Sequence, residues 1–363
     1  MFRHFILIAA LVLVTWFSRL LEGAALHSPP GYPLIAVSLL AGMLIILAGC
    51  ELFANGVEHL GDRMNMSHAT TGSLLAGVGT ALPETIVPIL ALIAGNRARG
   101  QEIAIGAILG APFMLSTLAL FLLGLTVLSR GAFKKDASPT MSVNANALRF
   151  ELGQIIFAMT LIFLASVLRV RAVNYLCASI LFVSYLFFIS RTMKHEAEEG
   201  EEYTEAFHFG TFLGYEKKPL WISLQVLAGL FLMIGGASVF VDFISLLAVK
   251  SGISALALSL IIVPFATELP EKVNSISWTL RGRDTLAIGN ITGSMVFQST
   301  VPASIGLIFT SWSLGRAELL DIISVILMSA LLRIAVARGK KIPAAILLVG
   351  GIFYLVYIMG IVF

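Results

Sequence analysis

The sequence carries one short motif twice, and both copies lie inside long apolar stretches. Thr80-Ala-Leu-Pro-Glu84 recurs as Thr267-Glu-Leu-Pro-Glu271. Each copy places a carboxylate directly after a proline, in surroundings where a charged side chain is expensive and is usually retained for function. Two glutamates at equivalent positions of an internal repeat therefore predict a central ion site.

The composition is typical of a chain that crosses a membrane many times. Hydrophobic residues make up 58% and charged residues 12% of the 363 residues, and the mean hydropathy is +0.94. Soluble domains contain about 25% charged residues. About eleven stretches reach the roughly 20 apolar residues that a spanning helix needs. They are 4–21, 34–60, 69–95, 102–128, 150–168, 172–190, 220–248, 254–280, 285–312, 318–337 and 342–363.

Four regions are predicted along the chain: 1–30, 31–190, 191–218 and 219–363. The first is a signal peptide or an extra transmembrane helix, because Arg3 precedes a short apolar run and small residues follow it. The second and fourth are two five-helix halves, and the third is an acidic linker. An excess of Lys and Arg in the loops on the linker's side places the linker in the cytoplasm and the carboxyl terminus outside.

The repeat extends well beyond the motif. Residues 39–84 align with 226–271 without a gap, and residues 104–110 pair with 287–293. Five apolar segments separate equivalent points of the two copies, and an odd number inverts the second copy across the membrane. Inverted repeats are a transporter architecture with the ion site near the midplane. We therefore predict an all-α polytopic membrane protein built from two inverted five-helix repeats, plus the N-terminal apolar segment.

Prolines and glycines also recur at equivalent positions. Pro83 and Pro270 each lack the backbone donor that continues a helix, so they predict an interrupted helix in each copy. The freed carbonyl groups can face an ion cavity, the one place where irregular backbone is tolerated in a membrane. Glycines at 42, 49, 229 and 236 predict close helix packing.

These residues resemble a known family. The pattern Thr-x-Leu-Pro-Glu, followed by Ala-Ile-Gly-x-x-x-Gly and present in both halves, is similar to that of the sodium/calcium exchanger family of the cation/calcium antiporter superfamily. The chain looks like a divergent member, and the resemblance covers residues 34–130 and 220–315. It implies ten core helices, transported Ca²⁺ with Na⁺ or H⁺ as the counter-ion, and no permanently bound cofactor.

The resemblance also implies a set of cation ligands. They are Glu84 and Glu271 as central ligands, Thr80 and Thr267, the backbone carbonyls of Gly77 and Pro264, and Ser294 and Gln298 of the following helix. Calcium is a hard cation that takes about six to eight oxygen ligands, some of them carboxylate. Such a set of oxygen donors fits that preference.

The two repeats depart from the family pattern in opposite ways. Ala111 and Leu115 of the first repeat stand where the family has oxygen-bearing side chains, so its sodium side looks weakened. The second repeat adds Glu268, a further candidate ligand, and Lys272 at the i,i+4 spacing of a helical ion pair. Three roles are open for them: a structural pair, a lysine ammonium that replaces a coupling cation, or Glu268 as a proton carrier.

The leading hypothesis is a secondary active antiporter that exchanges calcium, or a similar divalent cation, for sodium by alternating access. The alternatives are a cation/proton exchanger that uses Glu268 and Glu271, and a non-transporting ion-binding membrane regulator of the same fold. No His-Glu-x-x-His, phosphate-loop or Gly-x-Ser-x-Gly motif indicates an enzyme.

The expected partners are inorganic cations and the lipid bilayer, without nucleic acid. We expect a monomer or a weak homo-oligomer. The short loops favour a prokaryotic inner membrane.

Overall fold

The computed structural model describes residues 31–63, 77–94, 97–133, 139–196, 207–214, 218–337, 339 and 341–362. The predicted signal peptide or extra helix at 1–30 lies outside these residues. Within them the protein is almost entirely helical, which confirms the all-α class.

The described residues form fourteen α-helices and two short strands. The helices before the linker are α1 Tyr32–Arg63, α2 Gly77–Ala94, α3 Arg97–Met114, α4 Leu120–Phe133, α5 Ala145–Leu168 and α6 Arg171–Glu196. A π-helical segment, Leu115–Ala119, joins α3 to α4. The remaining helices are α7 His208–Leu213, α8 Pro219–Ser251, α9 Ala255–Thr267, α10 Leu269–Leu280, α11 Asp284–Gln298, α12 Val301–Phe309, α13 Arg316–Ala337 and α14 Ala344–Val362. Strands β1 Thr140–Ser142 and β2 Lys341–Pro343 pair antiparallel.

Seven helical stretches of the described residues are long and apolar enough to cross a membrane. They are Tyr32–Val57, Ala98–Arg130, Ala145–Leu168, Arg171–Thr192, Pro219–Ser251, Asp284–Phe309 and Arg316–Ala337. Shorter apolar helices are Pro83–Ile93, Ala255–Phe265 and Ala344–Met359. Large apolar side chains point outward from these helices, as Phe231 does with 76% of its surface exposed. Such faces suit lipid, and the protein is an integral membrane protein.

The chain divides into two compact units. The first unit contains Met1–Ala104 and Ile189–Leu258, and the second contains Ile105–Phe188 and Ser259–Phe363. Each unit draws segments from both repeats, so the compact units do not coincide with the repeats along the chain. The predicted division at 191–218 remains a prediction about the repeats and their linker, although the structure adds a short helix, α7, within that linker.

A pair of glycine-lined helices forms the centre of the first unit. A Cβ atom added to Gly49 of α1 would lie 2.8 Å from the Gly229 carbonyl oxygen of α8, and one added to Gly42 would lie 3.1 Å from the Gly236 carbonyl oxygen. The close packing predicted for these glycines is confirmed. In the repeat alignment Gly42 corresponds to Gly229 and Gly49 to Gly236. The contact of Gly42 with Gly236 is therefore the repeat equivalent of the contact of Gly229 with Gly49. The helices therefore run antiparallel about a local pseudo-twofold axis, as inverted copies should.

An ion pair fixes the start of α11 in the second unit. Arg130, near the end of α4, donates to both Asp284 carboxylate oxygens, at 2.5 and 3.1 Å, and to the Thr279 carbonyl at 2.7 Å. The backbone N–H of Ser142 in β1 donates to the same carboxylate at 3.0 Å. A charged, bidentate pair of this kind is among the stronger hydrogen-bonded contacts. It ties α4, α10, α11 and the β-ribbon together around the helix that follows the second motif.

The two motif copies differ in backbone. In the second copy the helix ends at Thr267 and restarts at Leu269, with Glu268 in a turn between them, so the interruption predicted from Pro270 is confirmed. The first copy is different, because α2 runs without interruption from Gly77 through Pro83 to Ala94. The interruption predicted from Pro83 is wrong for the described residues. Proline removes only one hydrogen bond, to the carbonyl four residues earlier, and the remaining turns of α2 keep the helix.

Candidate cation site

The turn at Glu268 positions the second motif. Pro270 lies in the first turn of α10, where a missing N–H is tolerated and the proline φ suits a helix start. It cannot donate to the Ala266 carbonyl, so that group loses its usual helical partner. Glu271 follows in the same first turn, where the positive end of the helix dipole stabilises a carboxylate. The sequence thus places a carboxylate and freed carbonyl groups at one helix break.

Two carboxylates are buried at this break. Glu268 is 0% and Glu271 is 2% exposed. Gln298, at the end of α11, donates from Nε2 to Glu268 Oε1 at 2.7 Å. No donor among the described residues reaches Oε2 of Glu268, Oε2 of Glu271 or Oε1 of Gln298. Buried acceptors are normally satisfied, and an unpaired buried carboxylate is costly. Three oxygens without donors are therefore a set that a cation satisfies.

An asparagine holds the backbone of the break. Asn290 of α11 donates from Nδ2 to the Glu271 carbonyl oxygen at 3.1 Å and to Ser275 Oγ at 2.9 Å. One amide group therefore ties α11 to the first two turns of α10. Asn290 therefore bonds to the backbone of the candidate site.

The ammonium of Lys272 is also buried, with the residue 5% exposed. Its Nζ atom lies 3.4 Å from the Pro264 carbonyl oxygen and 3.5 Å from that of Phe265, both in the last turn of α9. It donates to Met114 Sδ of α3 at 3.2 Å and lies 5.0 Å from the centre of the Phe265 ring. It also acts electrostatically on both Glu268 and Glu271.

The other two ligands predicted for the second repeat are Thr267, next to Glu268 in the sequence, and Ser294, four residues before Gln298. Thr267 is buried, and its hydroxyl donates to the Val263 carbonyl at 3.2 Å. Ser294 is half-buried on α11, one turn before Gln298. Gln298 is therefore joined to Glu268, Thr267 bonds back to its own helix, and Ser294 lies one turn before Gln298 on α11.

The first copy offers fewer oxygens. Glu84 is 3% exposed, in α2 of the first unit. The Thr80 side chain lies outside the described part of the chain. Ala111 and Leu115, which follow in the first repeat, are both buried and apolar. The polar groups that the structure describes are therefore concentrated in the second copy.

Two acids that the sequence did not predict are a partly buried glutamate and a fully buried aspartate. Glu151 of α5 accepts a short hydrogen bond from the Thr292 hydroxyl of α11. Asp321 of α13 is 0% exposed, and neither of its oxygens has a donor among the described residues. The signal in the sequence is an acid at the edge of an apolar segment, and both residues lie outside the aligned parts of the repeat.

Known proteins with similar sequences include cation exchangers and antiporters. The profile of the sodium/calcium exchanger protein family matches residues 34–194 and 221–363. CaxA of Alkalimonas amylolytica, a candidate antiporter, is 25% identical over 280 residues, which are 75% of this chain and 80% of that protein. The inner membrane protein YrbG of Escherichia coli is 22% identical over 273 residues, 74% of this chain and 78% of that protein.

Solved structures share the fold. A crystal structure of the H⁺/Ca²⁺ exchanger CAX superposes with a TM-score of 0.72 at 17% identity, over 99% of this chain and 89% of that one. The sodium-calcium exchanger NCX_Mj, soaked with Na⁺ and Sr²⁺, gives a TM-score of 0.55 at 20% identity, over 90% and 98% of the two chains. At such identities the likeness is one of fold, and it agrees with the predicted architecture of inverted repeats.

Proposed function

The chain belongs to the sodium/calcium exchanger protein family, and from this premise we propose that it exchanges calcium, or a similar divalent cation, for sodium by alternating access. The family is one of transporters, so the protein is a transporter and not an enzyme. One observation carries the proposal: Glu268, Glu271 and Gln298 bury acceptor oxygens for which the described residues supply no donors. A hard cation is the ligand that such oxygens accept.

We assign the cation ligands from the repeat. Glu84 and Glu271 are the central ligands, because they are equivalent residues of the two copies and both are buried. The further ligands proposed are Thr80, Thr267, Glu268, Ser294 and Gln298. Asn290 acts on the site through the backbone, since it holds the Glu271 carbonyl.

Obligatory exchange follows from the charge of these ligands. Carboxylates removed from water without a counter-charge carry a penalty of several kcal/mol each. A divalent cation offsets that penalty, and so do sodium ions or protons. The protein should therefore change its access between the two sides when the ligands are loaded and resist the change when they are bare. Calcium entering from one side is then released only in exchange for the counter-ion.

A proton-coupled exchanger is the second candidate. Ala111 and Leu115 leave the first repeat without two oxygen ligands, whereas Glu268 adds a carboxylate to the second. A carboxylate can accept a proton as its counter-charge and needs no further ligands to do so. In this case Glu268 and Glu271 would carry the protons.

The proposal also covers the membrane in which the protein lies, its orientation and its oligomeric state. The short loops favour a prokaryotic inner membrane. The charge of the loops places the 191–218 linker in the cytoplasm and the carboxyl terminus outside. A monomer or a weak homo-oligomer is the proposed working form.

Transport in proteoliposomes tests these proposals. Purified protein is reconstituted, and uptake of radiolabelled calcium is followed under an outward sodium gradient or under a pH gradient. Glu271→Gln is measured beside the wild type. Glu318→Gln is the control, because Glu318 accepts a hydrogen bond from the Gly315 N–H at the start of α13, and a glutamine oxygen can accept it too.

The outcomes separate the candidates. Uptake driven by sodium, lost in Glu271→Gln and kept in Glu318→Gln, is the expected result. Uptake driven by the proton gradient alone would replace sodium by protons and make Glu268 the leading proton site. A wild type that folds but takes up no calcium under either gradient would contradict the exchanger proposal.

A further inference from the structure

We propose that the Lys272 ammonium is a tethered cation that fills one monovalent cation position of the second repeat, so that each exchange cycle carries one driving ion fewer than the ligand set would otherwise take. The inference rests on the proposed exchange function. Lys272 keeps its positive charge through the cycle and transfers no proton.

The contacts of the ammonium are those of a bound cation. Its Nζ atom faces the Pro264 and Phe265 carbonyl oxygens at 3.4 and 3.5 Å and the face of the Phe265 ring. Carbonyl dipoles and an aromatic face are both groups that attract a desolvated positive charge. Pro264 is also one of the two residues whose carbonyls the family resemblance named as cation ligands. Lys272 therefore places its charge beside an oxygen that also accepts the Glu268 N–H at 3.0 Å.

The helix break explains why a positive charge is held there. The Pro264 and Phe265 carbonyls belong to the last turn of α9, where the helix dipole is negative. The Pro264 oxygen accepts the Glu268 N–H at 3.0 Å, and a carbonyl oxygen has a second lone pair with which it can face a cation. A cation at this end is favourable, whether it is mobile or attached to the chain. Lys272 lies in the first turn of α10, and only Glu268 separates α10 from the end of α9. Its side chain can therefore reach the last carbonyl groups of α9.

The opposite side of the ammonium lies against the repeat that has lost its oxygens. Met114 Sδ is 3.2 Å from Nζ, and Met114 lies between Ala111 and Leu115 in the sequence. A thioether is a weak acceptor and a poor ligand for sodium or calcium. A free ion at this place would lack ligands on the α3 side, whereas a covalently attached ammonium does not need them to stay.

A purely structural ion pair with Glu268 accounts for less of this arrangement. Such a pair explains the i,i+4 spacing but not the reach of the ammonium to the carbonyl groups of the preceding helix. Glu268 receives its hydrogen bond from Gln298 at 2.7 Å.

Counting coupled ions tests the inference. Lys272→Met removes the charge, and the vacated position should then accept a driving ion that is transported. Wild type and variant are reconstituted with the membrane potential clamped at zero, and the steady accumulation of radiolabelled calcium is measured against an imposed sodium gradient. One additional coupled ion multiplies the accumulation ratio by about ten for a gradient of about tenfold, and raises the Hill coefficient for sodium by about one.

The controls separate charge from packing. Lys272→Arg keeps the charge and should keep the wild-type coupling. Lys250→Met removes an ammonium that also lies over an aromatic ring, 4.8 Å from the centre of Tyr32 in the first unit, and should leave the coupling unchanged. If the wild type proves to be proton-driven, Lys272→Met should acquire a sodium dependence that the wild type lacks.

Thermal unfolding distinguishes failure of the inference from failure of the proposed function. In Lys272→Met, replacing choline by sodium should raise the unfolding temperature more than it does in the wild type, whether or not calcium is transported. Equal sodium effects together with wild-type coupling would overturn the inference and leave the exchange function intact.

A second variant covers loss of folding. Lys272→Gln can still donate to the Pro264 carbonyl and should fold where methionine does not, with the same gain of sodium coupling. Loss of folding in both variants would assign Lys272 a structural role and overturn the inference. A folded variant that exchanges no calcium under a gradient of any monovalent cation would also overturn the inference.

Discussion

The two copies of the repeated motif keep the same glutamate but differ in backbone and in neighbours. In the first copy Glu84 lies within the uninterrupted helix α2. In the second copy Glu271 follows a break at Glu268 and is surrounded by Lys272, Asn290 and a Gln298-bound carboxylate. The duplication has therefore preserved the carboxylate, while the polar contacts described above lie in the second copy. A pseudo-symmetric fold need not bind its ions symmetrically.

The largest effect is expected where the copies agree. Glu84→Gln and Glu271→Gln should each lower calcium exchange by about 100-fold or more, since each removes a negative charge from the proposed divalent site, a loss of about 2.7 kcal/mol. Glu268, which has Ala81 as its mate, should behave differently. Glu268→Gln keeps an oxygen at the site but loses the charge, so it should lower calcium exchange under a sodium gradient by only about tenfold, and should abolish exchange if protons drive it.

Initial rates of calcium uptake measure this difference, with Glu318→Gln as the control. A Glu84→Gln variant that exchanged calcium at the wild-type rate would break the proposed equivalence of the copies. The second copy would then be the whole of the site.

The glycine pairs are the next comparison, because there the copies should remain equivalent. Gly49→Ala and Gly236→Ala, which are repeat mates, should each destabilise the protein by about 2 kcal/mol, since the new Cβ atoms would lie 2.8 and 2.9 Å from backbone carbonyl oxygens. Gly235 is the matched control, because it has open space among the described residues and its mate is already Ala48.

Unfolding in detergent micelles measures these changes. Gly235→Ala should be neutral or stabilising by about 0.5 kcal/mol, since alanine favours a helix more than glycine does. Clearly different losses of stability in Gly49→Ala and Gly236→Ala would show that the local pseudo-twofold packing of the first unit is not maintained in solution.

The backbone difference between the copies yields a third prediction. Pro270→Ala restores an N–H that can bond to the Ala266 carbonyl and continue the helix across the break, so calcium exchange should fall by about tenfold. Pro83→Ala should leave exchange within about twofold of the wild type, because α2 is already continuous. Uptake rates at saturating calcium test both, and equal losses in the two variants would indicate that the first copy also opens during the cycle.

The sequence was sufficient for the features that depend on local chemistry. Apolar segments of membrane-spanning length, the close packing of the repeated glycines and the break before Pro270 were all predicted, because each can be recognised from the residues themselves. The continuity of α2 through Pro83 was not predicted, because a proline permits a break in a helix without requiring one.

Side-chain contacts between distant segments could not be predicted in this way. The bond from Gln298 to Glu268 joins residues of two helices, and the contact of Lys272 with Met114 joins the two repeats. Glu151 and Asp321 had no mate in the repeat to draw attention to them. Such contacts depend on packing angles that periodicity does not encode. The whole ligand set, including the two central glutamates, still stands as a prediction.

The smallest effect is expected where one residue separates the copies. Asn290 has Ala107 as its mate, so Asn290→Ala makes this position of the second copy match the first. The variant loses two hydrogen bonds, to the Glu271 carbonyl and to Ser275 Oγ, but water or the ion can replace part of them. A net cost of about 1 kcal/mol should lower calcium exchange by about fivefold while the protein stays folded. Asn274→Ala, on the exposed face of α10, is the matched control and should keep the wild-type rate. An unchanged rate in Asn290→Ala would mean that the backbone of the break holds its shape without this side chain, and the second copy would then owe its difference from the first to Glu268, Lys272 and Gln298 alone.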